Sequence, residues 1–344
     1  MKLDSIVERT TLIDPSGRLA EQVIEHRTDP LTGTVASINT ALGEKARAFV
    51  GSADLELLRE LQEESRTACP FCSAAEKGTR FPPEFVKEGQ IRVGSSLAMP
   101  NLFSKCTFDS VVIIDHARHV LLPSQIPSES FASAVRASAE LVRRARAHDP
   151  AQVHHVAGMN FLQPAGSSVP HPHFQVQIRS VPYSGVSRLL RRSAAYRESS
   201  GRDYWSELVE VEKAAGARYL GRTGAVEWLA AFAPGHQREI VGLLPGVGSL
   251  SEIDDGGAAA FGAGIQKVAA FYEESGTHPF NFAFFSAPEP GGGRSFALQV
   301  RMCSRPALRR LFSNYDTWFT PKLIGDDVHL EAPESWAARL RARW

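Results

Sequence analysis

Apolar and polar positions alternate along this chain in two rhythms, and the rhythm changes several times. A helical spacing over about 54–64 puts Leu55, Leu58 and Leu61 on one side, and a second over Ser128 to about 147 aligns Phe131, Val135, Leu141 and Val142. Ser128 is the expected N-cap of that second helix. Further helices are predicted over about 186–198, 203–217 and Ala258–Glu274. Strand-like runs fall at Thr34–Ile38, Val153–Met159, 171–179, Val226–Phe232, Glu239–Leu244, Phe280–Phe285 and Ser295–Met302. Val111-Val112-Ile113-Ile114 is apolar throughout, as expected of a central strand buried on both faces. Residues 1 to about 28 read as a loosely packed arm or a first helix around Leu19–His26. Asp29-Pro-Leu-Thr-Gly33 is a turn by composition, and a Gly/Pro-punctuated stretch runs from the Cys69-Pro-Phe-Cys72 turn to Met99.

The pattern repeats. HPHFQVQIRSVP (171–182) aligns without a gap on SFALQVRMCSRP (295–306), so Gln175 matches Gln299, Val176 matches Val300, Ser180 matches Ser304 and Pro182 matches Pro306. Ser295 and Ala297 occupy the places of His171 and His173. An α+β chain of two tandem units is expected, 1–183 and 184–344, with chemistry kept only in the first.

Composition narrows the classes of function. The 344 residues are 43% hydrophobic and 22% charged with a formal net charge of zero, which offers no general attraction to nucleic acid or a membrane surface. No run of about 18 apolar residues suggests a membrane span, and MKLDSIVERTTLIDPSG has no apolar signal core, so a cytoplasmic location is expected. Four cysteines do not make a disulfide framework in a chain this long. Cys106 and Cys303 sit singly among apolar neighbours and read as small core residues.

The chemistry concentrates in Gly166-Ser-Ser-Val-Pro-His171-Pro-His173-Phe-Gln175, a Gly/Ser loop running into a strand. Alternation places His171, His173 and Gln175 on one face. Cys69-x2-Cys72 is half of a zinc site, and the other two ligands would come from His116, His119, His154, His155, His171 and His173. A redox pair is the lesser reading, because no clear helix follows the second cysteine. One imidazole cannot both bind a metal and attack an electrophile, so the two histidines divide those tasks. The Asn160–Ser168 loop, through Gly166, Ser167 and Ser168, is the natural phosphate holder, with Gln175 as an uncharged donor.

Taken together these residues resemble the galactose-1-phosphate uridylyltransferase family, a nucleotidylyltransferase branch of the histidine-triad superfamily. The resemblance runs through Asp29–Gly33, Cys69–Cys72 with Glu76, Pro100-Asn101-Leu-Phe103, Val112–His119, Asn160, Ala165–Ser168 and His171-Pro-His173-x-Gln175. It implies two tandem histidine-triad-like units, each an antiparallel sheet with packed helices. It implies one structural zinc on Cys69, Cys72, His119 and His171, and a covalent nucleotidyl-histidine on His173 assisted by Gln175. Asn101, Asn160 and Ser168 would hold phosphates, and a UDP-sugar and a phosphorylated acceptor would react in turn on a homodimer. Arg310, Tyr315 and Asp316 fall in a segment that contacts the sugar across the dimer.

The departures cluster where substrates are chosen. The family's base-contacting arginines fall on Leu42 and Lys45, with Arg47 nearby, and a loop glycine is Leu162. A second metal is not expected, because the corresponding histidine-rich strand reads Ala297-Leu-Gln-Val-Arg301. Retained nucleotidyl transfer with an altered sugar, acceptor or base is the expectation. The alternatives are a dinucleoside polyphosphate phosphorylase or nucleotide hydrolase on the same scaffold, and an inactive zinc-stabilised nucleotide-binding protein.

Overall fold

The computed structural model describes residues 1–43, 52–119, 122–288, 295–311, 314 and 316–344. Ten strands form one antiparallel sheet. From one edge it runs through β4 (Ile91–Val93), β5 (Ser96–Pro100), β6 (Phe108–Ile113), β8 (His173–Arg179) and β7 (His154–Phe161). It continues through β12 (Phe280–Phe285), β13 (Leu298–Ser304), β11 (Ile240–Leu244), β10 (Val226–Ala230) and β9 (Tyr219–Thr223). The order reads alike from either edge: three successive strands, then the last strand of that half, then the one before it. The halves join where β7 pairs with β12, Asn160 opposite Asn281 and Gly158 opposite Ala283.

Alternation along the central strands explains the sheet's two faces. Ala157, Met159, Phe161, Phe174, Val176, Phe280, Phe282, Phe284, Val300 and Met302 are buried in one continuous core. Helices α3 (Ser128–His148) and α6 (Asp255–Glu274) also belong to it and pack on each other. His173, Gln175, Asn160, Asn281 and Arg301 therefore lie on the opposite face. The helices approach closely at Gly262, where a Cβ would stand 2.6 Å from both the Ala132 nitrogen and the Ser128 carbonyl. Among the described residues, no helix is long and apolar enough to cross a membrane.

Three expectations change. Residues 1–28 form a hairpin of β1 (Ser5–Ile13) and β2 (Leu19–Thr28), not an arm or helix. Asp14 caps its turn, accepting from the Ser16 and Arg18 amides, and Gly17 supplies a φ of +81°. The spacing of Leu19, Val23 and Ile24 imitates a helix, but the turn and the β-branched residues of β1 prevail. Pro127, not Ser128, takes the N-cap of α3, with no side-chain cap bond. Cys106 and Cys303 are only half-buried; burial still pushes the Cys303 thiol up to about 12. The hairpin joins a small second sheet through β3 (Val35–Ile38) to β14 (Asp327–His329). Helix α1 (Leu55–Thr67) is capped by Asp54, which accepts from the Leu57 amide, and the one-turn α2 (Ala74–Lys77) follows the cysteine turn. Helices α4 (Ser184–Ser200) and α5 (Tyr204–Ala215) lead into the second half, and α7 (Pro333–Arg341) comes last.

His155, buried on β7, ties the seam together. Its Nδ1 donates to the Val153 carbonyl at 3.2 Å, and its Nε2 accepts from the Ser286 hydroxyl at 2.6 Å. Burial pushes its pKa down from 6.5 to about 4. Between those values the unfolded chain holds more protons than the fold, so this contribution is complete above about pH 6.5 and lost as pH falls towards 4.

Two outcomes follow from this packing. Gly262→Ala should cost roughly 1–3 kcal/mol in urea unfolding, whereas Gly256→Ala, which meets nothing closer than 3.5 Å, should be neutral or slightly stabilising. His155→Gln should flatten the loss of stability between pH 6.5 and 4 by on the order of 3 kcal/mol; unchanged slopes would show that His155 titrates alike in both states.

Candidate active site

Two sequence-distant turns and the approach to β8 converge on one point. Cys69 and Cys72 follow α1, His119 lies in the loop after β6, and His171 immediately precedes β8. One ligating atom from each lies within 4.8 Å of the others. His171 Nδ1 is 3.5 Å from both sulfurs, and His119 Nδ1 is 3.4 Å from Cys72 Sγ. A tetrahedral ion with ordinary zinc–sulfur and zinc–nitrogen bonds would set those edges at about 3.6 Å. Each imidazole uses its other nitrogen outward: His171 Nε2 donates to the Asp115 carbonyl at 3.0 Å, and His119 Nε2 meets Ser65 Oγ at 2.8 Å. That orients both Nδ1 lone pairs towards the thiols.

Burial lowers both imidazoles, His171 to about 4, so they are neutral and fit to ligate at pH 7. Burial and the neighbouring Cys69 push the Cys72 thiol up to about 11; a dication between the sulfurs is what would deprotonate them. The residues present fit such an ion. His116 stands outside the group, its Nδ1 bonded to the Ser95 carbonyl at 2.9 Å, and neither His154 nor His155 belongs to it.

His173 begins β8, buried to 4% exposure. Its Nδ1 lies 2.8 Å from the His171 carbonyl, to which it can only donate. The proton is thus fixed on Nδ1 and the Nε2 lone pair is left for a reactant. Burial lowers its pKa, which keeps the ring neutral. Phe71, inside the cysteine turn, sets its edge against both rings, 6.1 Å from His171 and 4.9 Å from His173 between centroids. Gln175 faces the same way two residues on, opposite Gly158 of β7. Met159 pairs with Phe174, and Asn160 and His173 are the next residues at that end of the two strands. A cavity of about 510 Å³ opens on this face, lined among others by Asn160, Asn281, Arg188, Arg301 and Glu239.

No protein-family model matches the chain. An uncharacterized protein of Archaeoglobus fulgidus is 31% identical over 332 residues, spanning 95% of this chain and 94% of its own. Among solved structures, an ADP-glucose phosphorylase of Arabidopsis thaliana with bound ADP-glucose superposes with a TM-score of 0.68 at 18% identity, covering 92% of this chain and 98% of that one. A uridylyltransferase gives 0.68 at 20% identity, covering 92% and 97%. The chain is of one family with the Archaeoglobus protein and shares the fold of the ADP-glucose phosphorylase and uridylyltransferase structures.

The remaining residues singled out from sequence divide clearly. The Gly166 and Ser167 amides donate to the Gln163 and Leu162 carbonyls, and the Ser167 hydroxyl donates to Val169. Those two residues hold the loop's shape. Ser168 is exposed and, among the described residues, its side chain meets no partner, so it is the loop's available donor. Leu162 has φ 66° and ψ 167°, a region almost confined to glycine, with its side chain sealed in the core. Asn101 is engaged at both ends, its Oδ1 accepting from the Phe103 amide and its Nδ2 reaching Asp109 at 3.3 Å. Arg310 is exposed and pairs with Glu60 of α1 at 2.8 Å. Asp316 is held within the chain by Arg305. Lys45, Arg47 and Tyr315 lie outside the described residues.

Sequence reasoning passed over Phe71, Ser65, Asn281 and Arg305. Only Asn281 left a trace: it is the one polar residue in Phe280-Asn-Phe-Ala-Phe-Phe285. If Phe71 orders both rings, Phe71→Ala should cost about 3–5 kcal/mol and broaden the His173 ring resonances in NMR spectra. A cost below about 1 kcal/mol with sharp resonances would remove Phe71 from this role.

Proposed function

We propose that this protein is a nucleotidyltransferase in which His173 Nε2 attacks the α-phosphorus of a nucleotide sugar. The Nε2–P bond forms as the P–O bond to the sugar 1-phosphate breaks, and the sugar phosphate leaves with the electron pair. An acceptor phosphate oxygen then attacks the same phosphorus and the P–N bond breaks, returning neutral His173. The observation that carries this reading is the donation from His173 Nδ1 to the His171 carbonyl, which leaves a lone pair, not a proton, on Nε2. Gln175, Asn160 and Ser168 are the donors proposed to stabilise the phosphoryl oxygens as charge shifts.

Cys69, Cys72, His119 and His171 are proposed to hold zinc, the ion their two-sulfur, two-nitrogen set suits best. With four protein ligands it would supply a cross-link that anchors the start of β8. The tandem reading fits the strand order: β8 with His173 and Gln175 corresponds to β13 with Ala297 and Gln299 next to it, and 1–183 and 184–344 are proposed as copies of one histidine-triad-like unit. A homodimer is proposed to cover the exposed Leu311, Trp318, Phe319, Leu323 and Ile324.

The base and acceptor deserve two arms in the test. Fold neighbours include proteins named for uridylyl transfer and for ADP-glucose phosphorolysis. The second favours orthophosphate as an acceptor alongside a sugar 1-phosphate. Intact-protein mass after incubation with UDP-glucose, ADP-glucose and related nucleotide sugars should show one added nucleoside monophosphate, discharged by one of those two acceptors. His173→Ala should abolish the adduct, slow turnover by at least ~10³-fold and keep its metal. Cys69→Ala should lose metal and thermal stability together. An adduct that persists in His173→Ala, or none with any nucleotide sugar, would overturn the reading.

A further inference from the structure

A chain of hydrogen bonds reaches from the second half of the molecule into the site. Asp316, with only 8% of its side chain exposed, pairs with Arg305 through Nε and, at 3.3 Å, through Nη2. Arg305 Nη1 lies 2.7 Å from Asn281 Oδ1. Asn281 Nδ2 lies 2.7 Å from Asn160 Oδ1 and 2.8 Å from the Ala165 carbonyl.

The donor and acceptor roles in this chain follow from chemistry alone. A guanidinium can only donate, so the Asn281 atom facing Arg305 is the oxygen. A backbone carbonyl can only accept, so the Asn281 atom facing Ala165 is the amide nitrogen. That nitrogen has two protons. One goes to Ala165, and the other must meet an acceptor on Asn160, which is its Oδ1. The Asn160 amide is thereby turned so that its Nδ2 points away from β12. Among the described residues that Nδ2 meets no acceptor, and Asn160 directly follows Met159, whose partner Phe174 directly follows His173. The same Asn281 nitrogen also clamps Ala165, one residue before Gly166, so one side chain sets both the strand end and the loop.

We propose that Asn281 and Arg305 are positioning residues that aim the Asn160 amide at the transferred phosphoryl group, a task given to the half of the chain without catalytic histidines. Asp316, in turn, fixes Arg305. The proposal rests on the nucleotidyl-transfer reading for the role of Asn160, but the orientation itself does not depend on it.

Asn281→Asp keeps the acceptor for Arg305 and removes both donations. A carboxylate facing Asn160 draws the amide's N–H groups towards itself and away from the substrate side. Nucleotidyl-histidine formation, followed as a single turnover, should slow by about a hundredfold, the cost of roughly 1 Å of misplacement. In an Asn160→Ala background the same change should cost far less, only what releasing the Ala165 carbonyl costs, because the residue it mainly acts through is gone. A merely structural Asn281 would carry the same penalty into both backgrounds, and that result overturns the proposal.

A second measurement stands apart from activity and from the folding of variants. In ¹⁵N-labelled wild-type protein the Asn281 side-chain amide protons should exchange slowly with solvent and those of Asn160 quickly. Slow exchange at Asn160 with fast exchange at Asn281 would overturn the orientation, even if no nucleotide sugar labels His173. Absence of labelling with the expected exchange pattern would sink the transferase reading and leave the orientation standing.

Discussion

The structure depends on where His171 is held. Its ring is gripped on one side by the two thiols and the His119 ring and on the other by the Asp115 carbonyl. With the ring pinned, its own carbonyl becomes a fixed acceptor for His173. Tautomer control of the His173 imidazole is therefore a backbone consequence of a side-chain cluster two residues away. A histidine free to exchange tautomers would spend part of its time with a proton on the nitrogen proposed to attack. The cost of burying these polar rings is offset because each ring nitrogen except the His173 Nε2 faces a partner.

The second half contributes in a different manner. It extends the sheet across the β7–β12 seam and adds its helix α6 to the shared core. Its strand β13 matches β8 in place and partly in sequence, and the arginines on and just after it are paired: Arg301 with Glu239 and Gln299, and Arg305 with Asp316.

Much of the site was legible because its chemistry is local. Cys-x2-Cys pairs two thiols and alternation puts His171, His173 and Gln175 on one strand face, whereas the meeting of the two motifs, 102 residues apart, came through the family resemblance. The choice of His119 over His116 came through the family resemblance, and the structure brings only His119 into the group. What stayed hidden was non-local. Ser65, Arg305 and Asn281 act through partners 54, 24 and 121 residues distant, and no spacing rule reaches that far. The N-terminal hairpin escaped for the opposite reason. Its apolar positions are exposed and face no core in the described chain, so their spacing carried no burial signal. The loop amides of Gly166 and Ser167 were legible as a tight turn; that the turn would use those donors for itself depended on the positive φ of Leu162.

X-ray absorption at the metal edge of the protein as purified tests the central claim most directly. The account predicts one zinc per chain with two sulfur and two nitrogen neighbours at about 2.3 and 2.0 Å. A chain without metal, or an ion whose shell holds oxygen in place of one sulfur or one imidazole, would contradict it.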